Sequence, residues 1–382
     1  MVVEWSSERH LFDVPDEVAY FNTASLSPVL RSVRAAGESA LRRRARPWEI
    51  AEADWFADVE RLRALAGRLV GGDGEGIALV PATSYGFAVA AANLALAAGQ
   101  QVLVLADEYP SGVYTWRRAV ESAGAGLRTV TRQPGQTWTE AVLTAIDERV
   151  GIVSVPNVHW TDGGLVDLER VAAAARAAGA RLVVDASQSL GVLPLDVAAL
   201  RPDFVVAVGY KWLLGPFGRG YLWVAEEHRE GRPLEENWIV RAGAEDFAAL
   251  VDYRDEYLPG ARRYDHGGRT QFEVTPMAVA ALEQVLAWGP AHIAATLGLL
   301  TAEIANRITA ADAGFTVAEP RGPHLLGIRV PGGATGRVAA ALRDANCFVA
   351  RRGDAVRVAP HLHVTATDID RLVTTLIASG TP

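Results

Sequence analysis

Between residues 76 and 224, short apolar runs alternate with alanine-rich segments whose apolar positions recur at helical spacing. Ile77-Ala78-Leu79-Val80, Val102-Leu103-Val104-Leu105, Gly151-Ile152-Val153-Ser154-Val155 and Leu182-Val183-Val184-Asp185 are predicted strands. Phe204-Val205-Val206-Ala207-Val208 and Tyr221-Leu222-Trp223-Val224 continue the series. Helices are predicted between several of them, over Gly86–Leu96, Tyr114–Ala123, Trp138–Glu148 and Leu168–Ala178. A strand that is apolar at nearly every position is covered on both faces, so the alternation predicts a mostly parallel sheet between layers of helices. Such sheets place ligands beyond the carboxyl ends of their strands. The polar residues just after each run therefore carry the functional reading.

Beyond Arg232 the rhythm gives way to a polar, aromatic stretch with Trp238, Tyr253, Tyr257 and Tyr264. One long helical pattern follows from Pro276 to about Ala310, then two strand-like runs, Leu325–Val330 and Ala355–Val358, flanking a helix at Arg337–Ala345. This tail reads as a smaller α+β domain completed by the start of the chain. The expected division is a large α/β domain over residues 20–255 and a small domain built from 1–19 and 256–382. Gly71-Gly72-Asp73-Gly74-Glu75-Gly76 precedes a strand, whereas a phosphate-gripping glycine loop follows one, so a turn is predicted there.

Composition narrows the class. Half of the 382 residues are hydrophobic and 21% are charged, as in a globular enzyme with a large core. The net charge is −8, and the one basic block, Arg42-Arg43-Arg44, lies in a helical stretch, which argues against a nucleic-acid partner. No apolar run reaches the ~18–20 residues of a membrane span. Met1-Val2-Val3-Glu4-Trp5 carries an acid where a signal peptide has Lys or Arg, and the single cysteine, Cys347, cannot form an internal disulfide. The expectation is a cytoplasmic protein.

One basic residue changes the picture. Of the 37 Lys and Arg residues, only Lys211 is a lysine. Arginine stays protonated, whereas lysine can lose its proton and act as an amine nucleophile, most often to form a Schiff base. Lys211 stands in Gly209-Tyr210-Lys211-Trp212-Leu213-Leu214-Gly215-Pro216-Phe217-Gly218, after the Phe204–Val208 run. Asp185 ends the run before it, in Val184-Asp185-Ala186-Ser187-Gln188. A carboxylate ending a buried strand needs a cationic or hydrogen-bonded partner. Lysine and aspartate at one sheet edge suit pyridoxal 5'-phosphate, the amine binding the aldehyde as an imine and the carboxylate pairing with the protonated pyridine nitrogen.

These segments, in this order, resemble the aminotransferase class V family of fold-type-I pyridoxal-phosphate enzymes, a group that includes aminotransferases, cysteine desulfurases, kynureninases, isopenicillin-epimerase-like enzymes and carbon–sulfur lyases. The resemblance runs from Phe21-Asn22-Thr23-Ala24-Ser25 to Val356-Arg357-Val358-Ala359-Pro360-His361. It implies an α/β fold with a large, mostly parallel seven-stranded sheet domain and a smaller α+β domain. By position it implies that Thr83, Ser84 and Tyr85 open a helix that cradles the phosphate, an arrangement that uses the free N–H groups of a helix start. Tyr109 takes the place of the residue stacked on the cofactor ring, and Asn157 and Gln188 those that hydrogen-bond its phenolic oxygen. Tyr210 matches a phosphate donor. Thr275, in Phe272-Glu273-Val274-Thr275-Pro276, matches a residue that reaches the phosphate from the neighbouring subunit, although Val274 stands where the family has glycine. Asn22 and Arg357 fall at the substrate, with Arg357 placed to clamp an α-carboxylate, as planar guanidinium does well. His361-Leu362-His363 replaces the polar residues usual after that arginine.

The resemblance implies an amino-acid substrate, a homodimer and chemistry at Cα. Persulfide chemistry is not expected, because Arg351-Arg352-Gly353-Asp354-Ala355-Val356-Arg357 leaves no room for a cysteine loop before Arg357. Transamination leads the reading, with β-elimination or carbon–sulfur cleavage and epimerisation as alternatives. A nicotinamide dehydrogenase is disfavoured, since no Gly-x-Gly-x-x-Gly follows a first strand. A ligand-sensing regulator is disfavoured by the short segment before the fold. His159, His266, His361 and His363 suggest no metal: alternation puts His361 and His363 on one face of a strand, but no carboxylate or cysteine set accompanies them.

Overall fold

Residues 5–380 are described by a computed structural model; the leader-peptide reading of Met1–Glu4 lies outside the described residues. In chain order the first strands are β1 (Ala19–Tyr20), β2 (Ile77–Val80), β3 (Gln101–Leu105), β4 (Gly126–Val130) and β5 (Val150–Pro156). They are followed by β6 (Arg181–Asp185), β7 (Phe204–Val208), β8 (Gly220–Val224), β9 (Thr316–Val317) and β10 (Leu326–Arg329). The last are β11 (Cys347–Phe348), β12 (Ala350–Arg352) and β13 (Ala355–Val358). The helices are α1 (Arg31–Arg44), α2 (Ala57–Leu69), α3 (Thr83–Asn93), α4 (Pro110–Ala123), α5 (Trp138–Ala145) and α6 (Leu168–Ala177). Then come α7 (Val197–Leu200), α8 (Val274–Trp288), α9 (Pro290–Ala310), α10 (Thr335–Asp344) and α11 (Ala366–Gly380).

The main sheet has seven strands in the order β2-β8-β7-β6-β5-β3-β4. Only β8 runs against its neighbours, β2 and β7. Six of the seven coincide with the apolar runs. The seventh, β4, has no such run: in Gly126-Leu127-Arg128-Thr129-Val130 only Val130 is buried, as suits an edge strand that is wet along its length. Successive side chains point to opposite faces. Leu103 and Leu105 join the larger apolar cluster on one side of the sheet, whereas Val102 and Val104 join Phe87, Trp116 and Ile152 on the other.

The predicted helix from 276 to about 310 is two helices, α8 and α9, which meet at 74°. Gly289 has φ +80° and Pro290 opens α9. A glycine in a positive-φ conformation ends one helix and a proline at the first position starts the next. Among the described residues no single helix is long and apolar enough to cross a membrane.

A four-stranded antiparallel sheet, β12-β13-β10-β9, lies in the C-terminal third. The N-terminal segment joins this part of the molecule, since β1 pairs with β11 and Asn22 bridges Ala359. β13 ends at Val358, so His361 and His363 are not alternating strand residues; Val364 N–H donates to the His361 carbonyl in a turn. Burial pushes His361 down to about 3 and His363 to about 4, so both are neutral packing residues.

Candidate active site

The connections after five strands of the main sheet converge at one edge. Thr83 follows β2, Glu108 and Tyr109 follow β3, and Val158 and Trp160 follow β5. Asp185 is the last residue of β6, with Ser187 and Gln188 after it, and Tyr210 and Lys211 follow β7. These residues line one narrow pocket. Parallel strands leave their carboxyl ends side by side, so residues distant in sequence meet here without any one segment forming the site.

Asp185 is half-buried at the carboxyl end of β6. Its carboxylate accepts a hydrogen bond from Ser187 N–H at 2.8 Å but has no cationic group within ion-pairing distance among the described residues. Burial dominates and raises its pKa, against the lowering effects of Ser187 and Lys211. Lys211 is 7% exposed, and its Nζ lies 5.4 Å from the centre of the Tyr109 ring and 6.0 Å from that of Tyr210. Burial pushes the amine down to about 8; Asp185 raises it, whereas Arg357 and Arg352 lower it further. A buried amine beside a half-buried carboxylate, with neither bonded to the other, leaves both available to a third group.

The helix cradle has the expected frame. Thr83 is the first residue of α3 and is buried, Ser84 is exposed, and Tyr85 is half-buried. Gly86 lets the helix start close to the sheet, because a Cβ there would meet Val206 Cγ1 at 2.7 Å. The Tyr85 hydroxyl titrates well above its ordinary value, through burial first and then Glu235. Gln188 lines the pocket, but its side chain is already engaged: Nε2 donates to the Ala24 carbonyl and Oε1 accepts from Trp212 Nε1. Asn157 Nδ2 donates to the Val166 carbonyl, which leaves its oxygen uncommitted.

Arg357 is 1% exposed and faces no carboxylate. Nη1 donates to the Trp160 carbonyl at 2.7 Å and Nη2 to Ser25 Oγ at 2.6 Å and Asn22 Oδ1 at 3.5 Å, while Nε has no partner. Burial, then the nearby Arg352, pushes its pKa down to about 9. Asn22 therefore touches the guanidinium through its side-chain oxygen.

Thr275 departs from expectation. It is 1% exposed, its hydroxyl donates to the Thr270 carbonyl, and it accepts from Arg219 Nη2 at 2.9 Å. A residue buried in its own chain is not presented across a boundary as it stands. The whole 265–275 segment is held by Asp265, which accepts from Arg63 Nη2 and Arg269 Nη1, each at 2.7 Å, and from Leu79 N–H.

Three residues of the site were not singled out from the sequence. Glu108 lines the pocket beside Tyr109; its Oε1 accepts from Tyr109 N–H, and its Oε2 is buried without a partner. Burial raises it to about 7. The signal was available, since Glu108 follows β3 as directly as Tyr109 does. Trp160 packs edge-on against Tyr109 with ring centres 5.6 Å apart. Arg352 lies over the Trp160 ring, and nothing marked it among so many arginines. His159 is stacked on Trp138 at 4.8 Å, with Nε2 on the Ala106 carbonyl, beside the pocket and not in it.

The residue set fits pyridoxal phosphate on its own terms: among the described residues a carboxylate without a cation, a buried amine without an ion-pair partner, an aromatic ring beside that amine and a helix start lining the same pocket. Known proteins agree. The Aminotransferase class-V profile matches residues 40–372. Isopenicillin N epimerase of Streptomyces clavuligerus is 28% identical over 99% of this chain and 98% of its own length. Kynureninase of Deinococcus radiodurans is 30% identical over 67% of this chain and 63% of its own. Among solved structures, a C-DES lysine-to-alanine mutant with glycine covalently linked to the PLP cofactor superposes with a TM-score of 0.87 at 18% identity, over 98% of this chain and all of that one. The cysteine desulfurase CsdA of Escherichia coli gives 0.80 at 18% identity, over 97% of each chain. The chain belongs to the aminotransferase class V family and is a pyridoxal-phosphate-dependent enzyme of the fold-type-I architecture.

Proposed function

We propose that the protein moves a proton at Cα of an α-amino acid, with transamination as the outcome. The observation that carries this reading is the free Lys211 amine, buried opposite Asp185 and within reach of the field of Arg357. Lys211 would hold pyridoxal phosphate covalently, Asp185 its ring nitrogen, Tyr109 its ring face, and Thr83, Ser84, Tyr85 and Tyr210 its phosphate. When bound, the cofactor supplies an electron sink for the bond broken at Cα. Burial raises the pKa of Asp185, and a protonated pyridine nitrogen would supply the cation its carboxylate lacks. Asn157 and Gln188 would flank the ring oxygen, and Arg357 with Asn22 would bind the α-carboxylate and so orient Cα toward Lys211. A lowered amine pKa lets Lys211 accept a proton near neutrality, which its ordinary value would not. Cys347 argues against persulfide transfer, because it is buried in β11 and its pKa is pushed up to about 12.

A second reading, epimerisation, is favoured by two observations: the full-length similarity to an isopenicillin N epimerase, and Glu108 as a second proton-exchanging group in the pocket wall. A homodimer is also proposed. Trp48, Phe217 and Tyr253 are 78%, 73% and 96% exposed in the single chain, and Phe217 packs on Tyr210 beside Lys211. Large exposed aromatics are what an interface covers. Thr275 would reach a partner's phosphate only if its bonds to Thr270 and Arg219 were rearranged.

Purified protein incubated with an amino-acid panel in deuterated water tests the reaction. Transamination is expected to yield the keto acid and the amine form of the cofactor. Deuterated amino acid of inverted configuration without keto acid would select epimerisation, and pyruvate with ammonia would select elimination. No exchange at Cα with any amino acid would overturn the proposal.

A further inference from the structure

Arg352 and Arg357 occupy one face of the small antiparallel sheet. Ala350 pairs with Arg357 and Arg352 with Ala355, so the two arginines are diagonal neighbours on adjacent strands and project to the same side. Both reach one hydroxyl: Ser25 Oγ lies 2.6 Å from Arg357 Nη2 and 3.3 Å from Arg352 Nη2. Among the described residues neither has a carboxylate partner, and each has a buried Nε without a hydrogen bond. Each lowers the proton affinity of Lys211. Two like charges converging on a hydroxyl in a half-buried site repel each other unless an anion comes between or beside them.

The two guanidiniums do not face the same space. Arg357 is anchored by Ser25 Oγ, Asn22 Oδ1 and the Trp160 carbonyl. Arg352 is less buried, lies over the Trp160 ring at 5.1 Å, and lines a cavity of about 430 Å³ next to the pocket that holds Lys211. Glu108 and Trp160 border both spaces. The other arginines of this cavity are already matched, Arg132 by Asp162 and Arg329 by Asp354. Arg352 is thus the arginine of that wall left without a carboxylate, and the volume is in the range that holds a small organic ligand.

We propose that this cavity is a second anion subsite, and that the substrate is an α-amino acid whose side chain ends in a carboxylate: the α-carboxylate binds Arg357, and the distal carboxylate binds Arg352 with its chain lying along Trp160. The assignment rests on the proposed role of Arg357 and deepens that reading by naming the substrate class. Arg352 is a specificity residue here, and Lys211 remains the proton carrier.

Dicarboxylates without an amine, such as glutarate and adipate, report on the two arginines alone because they cannot react with the cofactor. Their affinity for the holoprotein is measured by calorimetry against pentanoate and hexanoate, together with the cofactor absorbance band that shows Lys211 occupied. The better of the two dicarboxylates is expected to bind about tenfold or more tighter than its monocarboxylate counterpart, as a charge-assisted pair to a second guanidinium provides. Arg352→Gln is expected to remove that gap while leaving monocarboxylate binding and the absorbance band intact, and Arg352→Lys to keep part of it. Equal binding of di- and monocarboxylates by the wild type, with the band present, overturns the subsite. So does an Arg352→Gln loss shared equally by both ligand classes, which would place both arginines on one carboxylate. A wild type with no band would instead overturn the Lys211 reading, and dicarboxylate preference would still be read on the arginines.

Discussion

Burial makes Lys211 reactive. An ordinary lysine, with a pKa near 10.4, is about 99.6% protonated at pH 8, and only its neutral form attacks a carbonyl. With the pKa lowered to about 8, half of Lys211 is neutral at that pH. The rate at which the apoprotein captures pyridoxal phosphate is therefore expected to climb about tenfold per pH unit below pH 8 and to level off above it. A rate that keeps rising toward pH 10 would show an unshifted amine. Since Lys211 is the one lysine in the chain, the reduced adduct has a single side-chain address. Asp185→Asn should still capture the cofactor but lose on the order of 10²–10³-fold in Cα exchange, because a neutral amide cannot keep a pyridine nitrogen protonated. Stopped-flow exchange near wild-type speed would show that Asp185 is not the ring partner. Cys347→Ala, by contrast, should leave turnover within about twofold, since a buried thiol held near pKa 12 is inert at neutral pH.

At the scale of elements, the site depends on how closely α3 approaches the sheet. Gly86 lies against Val206 of β7, a β-branched side chain with little freedom to yield. Gly86→Ala should push the start of α3 outward, costing about 1–3 kcal/mol of stability as overpacking does. Cofactor affinity should weaken as well, because Thr83 and Ser84 sit at that same helix start. Thermal unfolding of the apoprotein and cofactor titration read the two effects separately; an unchanged melting temperature with unchanged affinity would mean that the contact relaxes freely. The break between α8 and α9 follows the same local logic. Gly289-Pro290 is a strong stop and start signal in the sequence, and the apolar periodicity that continues across it hides the bend only when the periodicity is read alone.

For the whole molecule the expectation is a two-fold dimer, the commonest closed assembly. Phe217→Asp is the informative variant, because Phe217 is exposed in the single chain yet packs on Tyr210. Sedimentation at micromolar concentration should show wild-type dimers and a shift of the variant toward monomer, with weaker cofactor retention. A monomeric wild type with full activity would refute the shared assembly. A dimer that Phe217→Asp leaves intact would place the interface elsewhere.

The chemistry was legible in the sequence because it rests on residue types at strand ends. Continuous apolar runs specify a buried parallel sheet, and such a sheet brings its carboxyl-terminal residues together wherever they stand in the chain, so Asp185 and Lys211 could be set at one sheet edge from order alone, whereas Tyr109 and Thr83 were assigned through the family resemblance. What the chain order does not encode is which polar groups are left without partners. The convergence of Arg352 and Arg357 on Ser25, the raised pKa of Glu108 and the hydrogen bond of Arg219 to Thr275 each arise from segments tens to hundreds of residues apart. Strand β4 was also invisible, since a half-buried edge strand needs no apolar run. Pattern reports burial on average; desolvation and hydrogen-bond satisfaction are properties of particular atoms, and only packing in three dimensions decides them.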